Sequence, residues 1–253
     1  MADEPSDAFS ELVDARIAAL QAELAVVRAE MQHFTYAVSH DLRAPLRHIV
    51  SYAQLVEEDA GPQLNEEVRG FLATITDSAR NMGVLLDGLA ALARVGTAPV
   101  ELVSVSLQDL LGPMCSELSA QNPQRAIDWR IDQDLPRVLA DEALLRQAVN
   151  HVLDNSLKFS ALRERAVIEV RTAPADEVGC VVLSIHDTGV GYNPTHQAQL
   201  FKAFGRLHSS KQFGGIGMGL VLTQKMLERF GAAVSTQGAV DGGCCVRLLL
   251  KRA

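Results

Sequence analysis

Four short stretches of this 253-residue chain carry residue types whose spacing suits phosphate chemistry. The first is Ser39-His40-Asp41-Leu42-Arg43-Ala44-Pro45, in which His40 sits one step outside an apolar run. Val13, Ile17, Leu20, Leu24, Val27, Met31, Phe34 and Val38 alternate spacings of four and three, the heptad signature of a helix packed along one stripe. Extending the register gives Leu42, Pro45, Ile49, Tyr52 and Val56, so His40 projects to solvent, where a neutral imidazole can act as a nucleophile. In the second stretch, Asn155, Lys158 and Phe159 lie three and four apart on one helical face. An amide oxygen, a point cation and an aromatic ring suit Mg2+, phosphate and a purine respectively. The third, Asp187-Thr188-Gly189-Val190-Gly191, ends a strand and sets a carboxylate beside backbone that can turn tightly. The fourth, Gly214-Gly215-Ile216-Gly217-Met218-Gly219-Leu220, opens a helix, whose first N–H groups attract phosphate oxygens. Taken singly, the glycine run is a flexible loop, Asp187 a turn cap and Asn155 a partner for backbone groups. Their order and spacing together favour a nucleotide site.

The elements that must hold these residues fall into two groups. Residues 8 to about 58 read as one long helix containing Pro45, and Ala60-Gly61-Pro62 breaks it. A second helix runs from Asn65 to about Arg94, with Val68, Leu72, Ile75, Ala79, Met82, Leu86 and Leu89 along its seam. Two helices with one stripe each cannot close a core, whereas two hairpins from two chains can, as a four-helix bundle; a homodimer is expected. Gly96-Thr97-Ala98-Pro99 reads as a linker. Beyond it, strands at 102–106, 126–131, 167–171, 180–185, 232–236 and 244–250 mix with helices at 107–120, 142–159 and 220–230. Asp141 is placed to cap the second of these helices. The pattern predicts a mixed sheet with helices on one face, an α+β sandwich.

Bulk properties narrow the function. A net charge of −8 argues against nucleic acid as the main partner, and no apolar run approaches the roughly 18 residues needed to cross a bilayer. Cys115, Cys180, Cys244 and Cys245 lack zinc-ligand spacing, and the start has no secretory leader, so a cytoplasmic, reducing setting is expected.

The chain resembles the kinase core of the two-component sensor histidine kinases, over about Met31 to Leu250. Phe34 to Pro45 is similar to that family's phosphoacceptor box. Phe201-Lys202-Ala203-Phe204-Gly205-Arg206-Leu207-His208 is similar to its aromatic box, with the wording of the phytochrome-like branch. The resemblance implies a helical hairpin forming a dimeric four-helix bundle, followed by an α/β sandwich of the Bergerat ATPase type. It divides the chain into a coiled-coil signalling helix (1–33), a dimerisation and histidine phosphotransfer domain (34–96) and a catalytic ATP-binding domain (97–253). It implies ATP and Mg2+: Asn155 ligates the metal, Lys158 contacts phosphate, Phe159 packs on adenine and Asp187 accepts the adenine amino group. Gly189 and Gly191 turn beneath the base, and Gly215, Gly217, Gly219 and Leu220 wrap the phosphates. Arg206 approaches the γ-phosphate from a lid over 193–214, and Asp41 orients His40. The implied reaction is autophosphorylation of His40, followed by transfer to an aspartate of a separate response-regulator receiver.

Several neighbours bear on this reading. Pro45 removes a helical N–H just past His40 and lets the helix bend there. Arg43 and Arg47 share the face of His40 and read most simply as solvated surface charge. His33, His48, His196 and His208 suit the role of surface histidines without function. Ala44 stands where family members that also dephosphorylate their partner carry Thr or Asn, so phosphatase activity is expected to be weak. Two rival readings are a non-catalytic nucleotide-binding scaffold that regulates another kinase and a gyrase-type ATPase; the histidine-bearing hairpin has no place in the latter.

Overall fold

The computed structural model describes residues 4–96, 99–209 and 212–253, with side chains from residue 13 onward. Met1 to Asp3, Thr97 and Ala98 of the expected linker, and Ser210 and Lys211 of the expected lid lie outside the described residues. The chain forms two compact units, 1–97 and 98–253.

The first unit is a helical hairpin. Helix α1 (Glu4–Ala60) continues through Pro45 as one helix, a 3-10 turn covers Gly61–Gln63, and α2 (Glu66–Val95) returns. The Asn65 side chain caps α2 by accepting the Val68 N–H at 2.9 Å, while Glu66, Glu67 and Arg94 complement the helix dipole. Apart from Val95 at the end of α2, the buried positions among the described residues are small: Ser39 and Ala53 on α1, and Thr76, Ala79, Gly88, Ala90 and Ala93 on α2. The larger seam residues Ile17, Leu20, Leu24, Met31, Phe34, Ile49 and Tyr52 are all exposed. Ser39 and Ala53 each follow a seam position by one residue, a rotation of about 100° around the helix. The hairpin therefore has two stripes, a small-residue one that is buried and a large apolar one that is not.

The second unit is a two-layer sandwich. A five-stranded sheet runs β2 (Ala126–Ile131), β4 (Arg165–Pro174), β5 (Cys180–Asp187), β7 (Cys244–Lys251), β6 (Ala233–Gly238). Only the β2–β4 pair is parallel. A separate antiparallel pair joins β1 (Val103–Ser106) to β3 (Arg137–Ala140), a strand the periodicity did not reveal. Strict alternation buries Ala166, Ile168 and Val170 on β4, Val181, Leu183 and Ile185 on β5, and Val246, Leu248 and Leu250 on β7. Helices α3 (Leu107–Gln121), α4 (Glu142–Phe159) and α5 (Gly219–Glu228) supply the other layer. Leu145, Val149, Val152 and Leu153 of α4 are fully buried. Asp141 caps α4 at the Leu144 N–H, 2.9 Å away, and also accepts the Glu101 N–H at 3.0 Å.

Candidate functional site

In the first unit, His40 lies on the outer surface of α1, with its side chain 66% exposed. Its Nδ1 is 3.2 Å from Oδ1 of Asp41. With that nitrogen carrying the proton and donating it to the carboxylate, the lone pair resides on Nε2, the tautomer a nucleophilic imidazole requires. Arg43, read from sequence as solvated charge, instead donates to Asp87 of α2 at 2.9 Å. A pairing across 44 residues leaves no local sequence signal.

The second unit gathers three of the four stretches at one end of α4 and β5. The in-out phase of β5 puts Asp187 in register with Val181, Leu183 and Ile185, which buries its carboxyl at the strand end (3% exposed). Oδ1 accepts the Gly189 N–H at 2.8 Å and the Cys244 N–H at 3.2 Å. Burial raises the Asp187 pKa above the ordinary carboxylate value, against the opposing pull of those two donors. Such a carboxylate is fixed in direction and poorly solvated, which suits it to accept one donor from a flat heterocycle.

The last turn of α4 supplies Asn155, Lys158 and Phe159, all half-buried. A Cβ built on Gly219 would stand 3.1 Å from Asn155 Nδ2, and one on Gly215 would stand 3.2 Å from Lys158 Nζ. The glycine run thus lies directly against the two polar side chains. Lys158 Nζ also sits 4.5 Å from the centroid of the Phe159 ring. The Lys158 pKa is lowered, first by burial and then by the nearby Arg206 guanidinium. Lys158 thus lies beside the glycine run that leads into α5, an arrangement that favours an anion. Asn150, on an adjacent part of α4, turns its amide to Asp154 at 2.9 Å.

The lid packs back on this site. Phe159, His208 and Phe213 form a triangle of rings with centroids 5.2 to 5.5 Å apart. His208 Nε2 also lies 2.8 Å from the Gly191 carbonyl. His208 is therefore half-buried and packed rather than the free surface histidine expected from sequence. Phe213, 3% exposed, was likewise not singled out. Arg206 donates to the carbonyls of Phe213, at 2.7 Å, and Gly215, so it braces the lid's backbone. Gly217 has φ 73°, and a Cβ there would lie 2.3 Å from the Gly205 carbonyl oxygen, so only glycine fits.

The donors fit a Mg–nucleotide complex. Among the described residues no cluster of three acidic, His or Cys side chains forms a metal cage. Mg2+ bound through phosphates needs only one or two protein oxygens, and Asn155 offers one beside the glycine run. Among the described residues no helix is long and apolar enough to cross a membrane.

Comparison with known proteins agrees with this chemistry. Residues 30–98 match the His Kinase A (phospho-acceptor) domain, and residues 140–253 match the histidine kinase-, DNA gyrase B-, and HSP90-like ATPase family. The methanogenesis regulatory histidine kinase FilI of Methanothrix harundinacea is 28% identical over 90% of this chain and 25% of its own length. Cyanobacterial phytochrome B of Nostoc sp. is 27% identical over 90% of this chain and 30% of its own. The chain thus spans less than a third of these relatives. Full-length ShkA in complex with AMPPNP superposes with a TM-score of 0.60 at 27% identity, over 87% of this chain and 46% of that one. A phosphoacceptor domain followed by this ATPase domain is the order found in histidine kinases rather than in a gyrase-type assembly, and the chain belongs to the sensor histidine kinases, whose two core domains it carries.

Proposed function

We propose that this chain phosphorylates its own His40 with ATP and passes the phosphoryl group to an aspartate of a separate response-regulator receiver. The observation that carries the reading is the Nδ1 contact of His40 with Asp41, on a surface where Nε2 is open to an incoming phosphate. The Nε2 lone pair attacks the γ-phosphorus, the bond to the β–γ bridging oxygen breaks, and ADP leaves. The proton stays on Nδ1, shared with Asp41. Receiver aspartate oxygen then displaces the imidazole, which regains its lone pair as the N–P bond breaks.

In the ATP-binding part, Asp187 accepts the adenine amino group, Phe159 packs on the base, and Lys158 and the α5 N-terminus hold the phosphates. Mg2+, held by Asn155, would neutralise phosphate charge. Support comes from the fixed Asp187 carboxylate, the adjacent cations and the nucleotide analogue bound by the related ShkA. The functional division follows the signalling helix 1–33, the phosphotransfer hairpin 34–96 and the catalytic part 97–253.

The exposed apolar stripe of α1 supports a homodimer, in which two hairpins share a four-helix core. Ala44 lacks the polar atom that would place a water, so phosphatase activity is weak. The test is a chase: the chain, labelled from γ-labelled ATP, is mixed with a panel of receiver domains. Rapid movement of label to one receiver, lost when its aspartate is changed to Asn, supports the reading. Stable label on this chain with every receiver argues against the transfer step.

A further inference from the structure

Arg163, in the loop between α4 and β4, binds two other segments at once. Its Nε donates to the Thr188 carbonyl at 3.0 Å and its Nη2 to the Gly189 carbonyl at 3.1 Å. The same Nη2 reaches Asp241 at the tip of the β6–β7 hairpin, at 3.1 Å to the carbonyl and 3.2 Å to Oδ1. The tip meets the turn directly as well, since the Asp241 N–H donates to the Val190 carbonyl at 2.8 Å. There is no slack between them: a Cβ on Gly191 would fall 1.8 Å from the Ala239 carbonyl oxygen. Asp241 holds φ 58°, a left-handed turn backbone that Asp and Asn adopt more readily than other non-glycine residues.

We propose that Arg163 and Asp241 form a clasp that positions Asp187 and so sets the affinity and base selectivity of the nucleotide site. The link is topological. The two N–H groups that aim the Asp187 carboxylate belong to Gly189 on the turn and Cys244 at the foot of the hairpin. Arg163 ties these two segments together from the far side, and its planar fork satisfies turn carbonyls that no strand ladder reaches. Arg163 touches no substrate in this scheme; it is a positioning residue. The inference rests on the ATP reading given above.

The test uses the full chain, with the Kd for ATP and for GTP measured alongside the rate of His40 labelling at saturating Mg–ATP. Arg163→Ala is expected to weaken ATP binding about 10-fold or more, the scale of a lost charge-assisted bond network. The ATP-over-GTP preference should fall with it, while labelling at saturating ATP stays within about threefold of wild type. Arg163→Lys should recover only part of the affinity. If Arg163→Ala does not fold, Asp241→Asn, which tolerates the left-handed backbone, should shift affinity and selectivity in the same direction by less. A folded variant with wild-type affinity and base preference overturns the clasp alone. A wild-type chain that binds no ATP overturns the nucleotide reading together with it.

Discussion

Nδ1 of His40 and Oδ1 of Asp41 are 3.2 Å apart although helical neighbours splay their side chains by about 100°. The contact forms because both side chains are exposed and free to swing toward each other, with Asp41 82% exposed. An exposed pair of this kind contributes at most about 1 kcal/mol of stability; in the proposed reaction its part is to keep the proton on Nδ1. Asp41→Ala should therefore slow His40 labelling about 100-fold at saturating ATP, with the ATP Kd unchanged. A variant that labels at the wild-type rate removes Asp41 from the mechanism.

The charge states of Asp187 and Lys158 predict a narrowed pH window for nucleotide binding. Burial raises the carboxyl above its ordinary value of 3.8 and lowers the amine below its ordinary 10.5. As pH falls, Asp187 protonates early and loses its acceptor role; as pH rises, Lys158 loses its charge early. Stability runs the other way. The raised Asp187 pKa stabilises the fold below the unfolded value, and this contribution disappears as pH rises through the folded one. Titration of the ATP Kd should show both limbs inside the ordinary values, with Asp187→Asn abolishing the acid limb. Limbs at or beyond 3.8 and 10.5 contradict this assignment.

The glycines of the fourth stretch should not be equivalent. Gly214 has open space where a Cβ would go, so Gly214→Ala should leave ATP affinity unchanged. Gly217→Ala forces a Cβ onto the Gly205 carbonyl at positive φ, a strain of about 1–3 kcal/mol that the lid can relieve only by shifting. Its ATP Kd should rise by about 10-fold or more. Equal behaviour of the two variants, by calorimetry, would show that the lid's packing is irrelevant to binding.

Ala44→Thr should introduce measurable dephosphorylation of the phosphorylated receiver without reducing His40 labelling. Release of inorganic phosphate from a purified phospho-receiver reads this directly. Strong release by the wild-type chain refutes the assignment of a weak phosphatase.

Much of the framework was legible because its signals are local. Asp141, the acidic Glu142 and the apolar period of α4 gave that helix its limits, since a cap, a dipole partner and a buried stripe all act within a few residues. Strand β3 was missed because four residues show too little alternation, and its partner β1 lies more than thirty positions earlier. The heptad of α1 reads as a packing seam, yet its large residues are exposed, and the stripe buried within the hairpin is the one holding Ser39 and Ala53, small residues that no hydrophobic count selects. Asn155, Lys158, Phe159 and the glycine run were visible, and the structure brings them together. His208, Phe213, Arg163 and the Arg43–Asp87 pair were not, because each packs against a segment far away in sequence, Phe159 in the case of the two rings.

Labelling with γ-labelled ATP and Mg2+ tests the central claim most directly, using wild type and His40→Gln side by side. The predicted result is an acid-labile, base-stable phosphate on the wild-type chain, absent from His40→Gln although that variant binds ATP with the same Kd. Undiminished label on His40→Gln, or no label on a wild-type chain that binds ATP, contradicts a kinase acting through His40.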